Sequence, residues 1–449
     1  MSRYETYKES DFVGIGKVPE HWEVKRLKHL GEAIIGLTYS PNDVTENEEG
    51  ILVLRSSNIQ EGFISYDDCV YVDKEVNPNL ITRKGDILIC ARNGSAHLVG
   101  KNICIDEKSA GHTFGAFMVV FRGKFWRYLS YFFNSPIFTS QTGMFSTTTI
   151  NQLTSQTLNN LRIAYPSDSI EQENICNYLD DQTQKIDRLI ANKKAQAEKL
   201  KELRQIEINN AVTKGLNPNA EMKDSGIEWL GKIPKHWTTK RMKDVASVRG
   251  RIGFRGYTVD DIVDEGALVI GAKHINSSNQ LNFDDPEYIS WEKYYESPEI
   301  MVEVGDVLIV QRGSVGKFAL VEKEIGPATI NPSMILLRLN NRIHPQFLFW
   351  YLLGEHMFNI IKTIVSSTAV PMISQMQAGV FRIILPPKKE QIEIANYLME
   401  RTAAIDQLIK NIEAQIEKLQ EVRKIKIYEA VTGKICLNQD FQDARINRI

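Results

Sequence analysis

The chain repeats itself, and no single motif constrains its fold as much as that repetition does. Lys8-Glu9-Ser10, Gly16-Lys17-Val18-Pro19-Glu20-His21-Trp22 and Lys25-Arg26-Leu27-Lys28 return 215 residues later as Lys223-Asp224-Ser225, Gly231-Lys232-Ile233-Pro234-Lys235-His236-Trp237 and Lys240-Arg241-Met242-Lys243. Gly85-Asp86-Ile87-Leu88-Ile89 with Arg92 returns as Gly305-Asp306-Val307-Leu308-Ile309 with Arg312. Residues 171–213 align with 390–432 without a gap, identical at 24 of 43 positions. Between Arg26 and Leu161 only scattered anchors match. Any fold must therefore come twice, with one part held constant and another free to drift, as expected for a shared partner and two different targets.

Each half divides in two. The first part (1–165 and 216–386) carries short apolar runs such as Ile51-Leu52-Val53-Leu54, Asp86-Ile87-Leu88-Ile89 and Ile335-Leu336-Leu337-Arg338-Leu339, broken by Gly, Asn and Asp, with helical patterns such as Phe347–Leu353 between them. That alternation predicts a mixed α/β globule. In the second part (166–215 and 387–435), Ile186, Ile190, Ala197 and Leu200, and in the other copy Ile405, Ile409, Ile412, Ile416 and Leu419, step by threes and fours along one helical stripe. Ser169 with Gln172 reads as a capping box, Pro387 as a first-turn proline, and Gly215, Pro218 and Gly433 as stop signals. A single stripe on so long a helix stays wet, so the two helices are expected to bury theirs together as an antiparallel coiled coil. Residues 436–449 form a C-terminal tail.

A chain of 449 residues suggests about three folding units, and its formal net charge of −2 announces no polyanion binder. Charge is nevertheless blocked. Lys232, Lys235, Lys240, Arg241, Lys243, Arg249, Arg251 and Arg255 stand against the single Asp244, a phosphate-binding density, whereas 256–303 holds eleven acids and two lysines. The two helical stretches are nearly balanced, as protein-facing rods would be. The five cysteines are scattered without C-x-x-C, the start is polar, and no apolar run approaches the ~20 residues of a membrane span. These features predict a reducing cytoplasm, with neither a membrane nor a cysteine metal centre.

Catalytic-looking motifs fail on their chemistry. Gly226–Ile233 mimics a phosphate loop, but Ile233 replaces the hydroxyl that would hold Mg2+, and the first copy has Asp11 for the first Gly. Asn331-Pro332-Ser333-Met334 lacks the second Pro and the aromatic residue of an amino-methyltransferase loop. The repeated His-Trp reads as structural. What does recur suits recognition. Arg92 and Arg312 each follow a Gly-Asp strand and precede a Gly-Ser, a guanidinium able to fork onto phosphate or guanine, with Asn93, Ser95, Ser314 and Lys317 beside them. Arg55-Ser56-Ser57-Asn58 and Gly271-Ala272-Lys273-His274 follow equivalent strands with different donors. Hydroxyl-rich loops around Thr148 and Thr368 complete the set.

These residues carry a resemblance. Lys223–Trp237, its weaker copy Lys8–Trp22, and the junctions from Pro166 to Glu171-Gln172 and from Pro386 to Glu390-Gln391 resemble the specificity subunit of type I restriction-modification systems over almost the whole chain. The first copy departs in Asp11–Ile15, where the second has Gly226–Leu230, and in Ala164-Tyr165-Pro166-Ser167, which replaces a double Pro. The resemblance implies a non-catalytic subunit with two target-recognition domains separated by two conserved antiparallel helices. Each domain would read one half of an asymmetric, interrupted target in double-stranded DNA. The helices would bind two methyltransferase (M) subunits, and restriction (R) subunits would join them. No cofactor would sit on this chain; S-adenosylmethionine, ATP and Mg2+ would belong to the partners. Half-sites one turn apart on DNA, ~34 Å, match a pseudo-two-fold protein. Lys240, Arg241, Lys243, Arg249, Arg251 and Arg255 are the expected phosphate anchors, Arg92, Arg312 and the hydroxyl loops the expected groove contacts, and Arg55, Ser56, Asn58, Asn93, Ser95, Lys273, His274, Ser314 and Lys317 further candidates for contact with DNA. The competing readings are a DNA-independent coiled-coil scaffold, a similar subunit of another restriction or methylation system, and an autonomous methyltransferase or nuclease, against which the missing catalytic motifs count.

Overall fold

The structure is a computed structural model that describes all residues except 1–2, 11, 13–14, 47–48, 61, 145–151, 228–229, 252–255, 367–371 and 438–449. The chain forms two compact units: Met1–Lys193 together with Ala414–Ile449, and Lys194–Glu413. The boundaries fall inside two long helices, Ser169–Lys214 and Lys388–Val431, so each globule takes in a segment of both.

The duplication holds strand by strand. In the first unit Thr113–Phe114, Ile51–Leu54, Tyr71–Val72 and Val44–Thr45 form one four-stranded sheet, in that order. Gly31–Ile35, Met118–Gly123, Ile87–Cys90 and Asn102–Cys104 form another. The second unit reproduces both, as Ala328–Ile330, Ala267–Ile270, Tyr288–Ile289 and Ile262–Val263, and as Ala246–Arg249, Met334–Leu339, Val307–Val310 and Phe318–Leu320. Antiparallel pairing dominates, but Thr113 to Val53 and Ala328 to Leu268 run parallel in both. The central strands Ile87–Cys90 and Val307–Val310 are buried on both faces, which is why they read as continuous apolar runs.

The repeated Gly-Asp ahead of these strands now has a physical reason. Gly85 and Gly305 have φ of +88° and +94°, a backbone that other residues rarely adopt. The buried Asp86 and Asp306 that follow receive the guanidinium of Arg122 at 2.6 Å and of Arg338 at 2.8 Å.

The P-x-H-W motif is explained by the start of the long helices. Trp22 is fully buried, and its Nε1 donates to Glu171 at 2.9 Å, while His21 Nε2 meets the same carboxylate at 2.9 Å. Trp237 and His236 hold Glu390 in the same way, at 2.9 and 2.7 Å, while the more buried Glu171 also accepts from the Tyr4 hydroxyl at 2.5 Å. Gln172 and Gln391 donate to the carbonyls of Pro166 and Pro386. The repeated Glu-Gln is thus a clamp between globule and helix. The capping box expected at Ser169 and Gln172 does not form: Ser169 is already helical, and Asp168 accepts from the Ile170 N–H at 3.0 Å. Pro387 stands just ahead of the second helix instead of inside its first turn. At the far ends, Gly215 (φ +75°) and Gly433 (φ +66°) end the helices as expected. A Cβ on Gly433 would meet Pro19, and one on Gly215 would press on Trp237.

Within each unit the two helix segments run antiparallel. In the first, Asp187 meets Arg423 at 2.9 Å, and Ile175 and Leu179 share a core with Ile427 and Val431. In the second, the equivalent pair has exchanged helices, with Arg204 meeting Asp406 at 2.9 Å. The expected stripe is the inward one: Ile186, Ala197, Ile405 and Ile409 are buried, and Ile190, Leu200, Ile412, Ile416 and Leu419 half-buried.

Candidate nucleic-acid interface

Two segments expected to act in recognition come together in each unit. A one-turn helix, Ser56–Asn58, follows the strand Ile51–Leu54, and Ala272–His274 follows Ala267–Ile270. The Arg55 N–H donates to Asn58 Oδ1 at 2.8 Å, and the Gly271 N–H to His274 Nδ1 at 2.9 Å. On their other side, Asn58 Nδ2 donates to the carbonyl of Asp68 at 3.0 Å, and His274 Nε2 meets that of Asp285 at 3.1 Å. An acceptor on one side and a carbonyl on the other require the neutral His274 tautomer with its proton on Nε2; burial favours that form by pushing its pKa down. Asn58 and His274 are therefore turn locks, 1% and 2% exposed, and the expectation that they contact DNA is corrected.

Their neighbours differ in kind. Arg55, Ser56 and the exposed Ser57 in the first unit correspond to Gly271, Ala272 and Lys273 in the second. Arg55 pairs with Asp68 at 2.8 Å and Lys273 with the equivalent Asp285 at 2.8 Å, so both cations are steered by the loop that follows.

The Arg92 and Arg312 segments lie against these turns. Asn93 Nδ2 reaches Ser56 Oγ at 3.3 Å, and Lys317 Nζ reaches the Ile275 carbonyl at 3.2 Å. Both arginines are exposed, and both backbones bridge to an equivalent residue, Arg92 to Gln152 and Arg312 to Met372. The Arg92 guanidinium lies 5.2 Å over the ring of Phe117, itself 60% exposed, so a flat cation is held ready at the surface. Arg312 has Met372 Sδ at 3.1 Å instead. Ser95 and Ser314 are exposed beside them. Gly313–Phe318, Asn276–Asn279 and the helix Glu355–Ser366 border an open groove of about 860 Å3.

The basic block does not act as one surface. Lys240 and Arg241 end the strand Thr238–Arg241, Lys243 follows in a turn, and Arg249 ends Ala246–Arg249, exposed. Arg241 is shared with Asp244 at 3.3 Å. Arg251 is no phosphate anchor: it is 6% exposed, donates to Ile330 O and Thr329 Oγ1, and lies over Tyr257. Its role is to close the strand Ala328–Ile330 onto the sheet. Arg255, Thr148 and Thr368 lie outside the described residues.

Sequence reasoning missed Phe117, whose only signal was an aromatic residue in a strand-entry turn. It also missed Arg162 and Arg382, which become neighbours of the basic runs only through strand pairing. The phosphate-loop mimic ends in the strand Lys232–Pro234, which pairs with Met222–Asp224 and is followed by the strand Thr238–Arg241 instead of the helix such a loop needs. Among the described residues no group of three His, Cys, Asp or Glu is placed to hold a metal ion, and no helix is long and apolar enough to cross a membrane.

A duplicated α/β reader with polar loops and paired helices defines a class of recognition protein, and comparison with known proteins names it. The model of the type I restriction modification DNA specificity domain matches twice, at residues 19–199 and 234–418. The chain belongs to this family: it is a specificity subunit of the type I restriction-modification class, whose part is DNA sequence recognition rather than catalysis. It is 24% identical over 436 residues to the type I restriction enzyme StySPI specificity subunit of Salmonella potsdam, covering 94% of this chain and 90% of that one. To the EcoKI specificity subunit of Escherichia coli K12 it is 23% identical over 437 residues, covering 94% and 90%. A solved chain from work on complex assembly and conformational transition of the type I restriction-modification system shares the fold, with a TM-score of 0.69 at 16% identity over 93% of this chain and 99% of that one.

Proposed function

We propose that each α/β unit reads one half of a bipartite, asymmetric DNA target through the turn that follows Ile51–Leu54 or Ala267–Ile270 and the arginine loop beside it. One observation carries this reading: the two turns share a backbone and an inner lock, Asn58 or His274, yet present different outer groups. Phosphate contacts position a protein while base-edge contacts specify sequence, so the divergent outer groups are where the two targets differ. Arg92 on Phe117 and Arg312 on Met372 are the lead guanine or phosphate contacts, with Arg55, Ser56, Asn93, Ser95, Lys273, Ser314 and Lys317 around them.

The helix pairs are the assembly surface of this reading. Leu189, Val422 and Ile425 are exposed in the first unit, and their repeat equivalents Leu408, Leu203 and Ile206 in the second. The same apolar triplet presented twice suits two copies of one partner, the methyltransferase subunits, with S-adenosylmethionine on those subunits and restriction subunits, ATP and Mg2+ joining through them. The test is a swap of residues 20–165 for the matching region of another specificity subunit, read by methylome sequencing of cells that carry the methyltransferase partner. One half of the methylated sequence should change and the other persist; an unchanged pattern sinks the two-reader model.

A further inference from the structure

Each unit contains a two-stranded ribbon that ends in facing arginines. Trp22–Arg26 pairs antiparallel with Arg162–Pro166, placing Arg26 opposite Arg162. Thr238–Arg241 pairs with Arg382–Leu385, placing Arg241 opposite Arg382. Both ribbons run straight into a short turn that carries a lysine, Lys28 in Leu27–His29 and Lys243 in Met242–Asp244. Like charges directly opposite on a ribbon have Cβ atoms about 4.5–5.5 Å apart and repel. Folding alone gives no reason to keep such a pair twice over.

The arginines that do serve folding look different. Arg122 and Arg338 sit on the buried carboxylates of Asp86 and Asp306. Among the described residues no carboxylate pairs with Arg26, Arg162 or Arg382: Arg26 donates to the Asn160 side chain at 3.1 Å, and Arg162 lies over the Phe12 ring. In the first unit Arg26, Lys28, His29 and Arg162 line an open groove of about 520 Å3. Two guanidinium forks and an ammonium around an open groove match successive phosphates of a nucleic-acid backbone.

We propose that the two ribbons are the backbone grips of the two readers, each docking duplex DNA phosphates through its facing arginines and the following lysine. The proposal rests on the DNA reading given above. It replaces a single basic block in one half with an equivalent grip in both, and it brings in Arg26, Lys28, Arg162 and Arg382. The grips are unequal, because Asp244 partly neutralises Arg241 where the first unit has His29 in the same place.

The test is salt-dependent binding of a random-sequence duplex by the full chain assembled with its methyltransferase partner. Arg26→Gln/Arg162→Gln and Arg241→Gln/Arg382→Gln should each weaken binding on every sequence. The slope of log affinity against log salt should fall by roughly 0.9 for each phosphate no longer neutralised, more for the first pair, with the methylation pattern unchanged. Lys28→Gln, on an exposed turn, should lower the slope by about the value of one phosphate without touching the fold, and Arg→Lys replacements should preserve it. A parental slope in Lys28→Gln and in both folded doubles overturns the proposal. So does an altered methylation pattern, which would make the ribbons base readers, or weaker assembly with the partner at unchanged slope, which would make them protein-facing. If the unsubstituted assembly shows no salt-dependent DNA binding, the DNA reading falls too, a result distinct from the others.

Discussion

In the first unit the turn after Ile51–Leu54 shows Arg55, Ser56 and Ser57 outward and Asn58 inward; in the second, the same turn shows Ala272 and Lys273 outward and keeps both Gly271 and His274 inward. The inner position has changed identity without changing its work. Asn and neutral His both have an acceptor and an N–H on opposite edges of a flat group, and the turn needs both. The outer positions are held more loosely, by ion pairs at the surface such as Arg55 with Asp68 and Lys273 with Asp285. Drift in a duplicated protein is thus filtered by hydrogen-bond geometry: a residue that closes a backbone turn is replaced only by a mimic, while one that faces solvent is free to follow its target.

The equivalence of the two units can be challenged at several strengths. Trp22→Ala and Trp237→Ala should each cost about 3–5 kcal/mol, since each empties a core and strips a donor from Glu171 or Glu390. Denaturant unfolding should show losses of similar size, and a large inequality would refute the equivalence of the two clamps. Acid should separate the units. Burial against the Tyr351 ring lowers His356 to about 4, and in the first unit, where Pro136 opens the corresponding helix as Glu355 does here, the equivalent place holds Ile137. A lowered folded pKa means that the unfolded chain takes up the proton first as pH falls. The second unit is then fully stable above about pH 6.5 and loses up to about 3 kcal/mol between there and pH 4, with His274 adding in the same direction. Hydrogen exchange at pH 7 and 5 should show earlier opening of residues 194–413, and His356→Leu should flatten that response.

Smaller effects test the turn itself. His274→Ala leaves the buried Gly271 N–H without its acceptor, a loss of about 1–3 kcal/mol, whereas His274→Asn should restore most of it by copying Asn58. If Asn fails there, the two locks are not interchangeable. Smallest in stability but most informative for function, Arg312→Ala should weaken recognition of one half-site by about 1–3 kcal/mol, and Arg92→Ala the other. Competition binding against targets altered in one half would reveal it; equal weakening on all sequences would make these arginines phosphate contacts.

Much of this architecture was legible beforehand. The repeat announced two copies of one fold, the stripes at Ile186 and Ile405 announced helices that bury one face, and the repeated Gly85-Asp86 and Gly305-Asp306 marked equivalent strands, although only the structure shows why the glycine is needed there. The candidate site was read less well, for a consistent reason. Arg251 and His274 look like surface donors in the chain, but the first is drawn under the strand Ala328–Ile330 and the second into a turn. Charge and donor type are properties of a residue; exposure is a property of its neighbours. Phe117, Arg162 and Arg382 were missed from the opposite side, since each gains meaning only from a residue far away in the chain.

Taken by itself, the amino-acid order determined the duplication, the α/β character of each globule, the long helices and the family. Those follow from local periodicity, turn chemistry and self-similarity, which need no partner to be read. Only the tertiary structure decided that the first Glu of each helix is a clamp for His-Trp, that one arginine supports a strand while another meets solvent, and that basic runs in both halves end in facing arginines. The physical reason is strand register: antiparallel pairing brings together residues well over a hundred positions apart, and that register depends on the packed sheets as a whole.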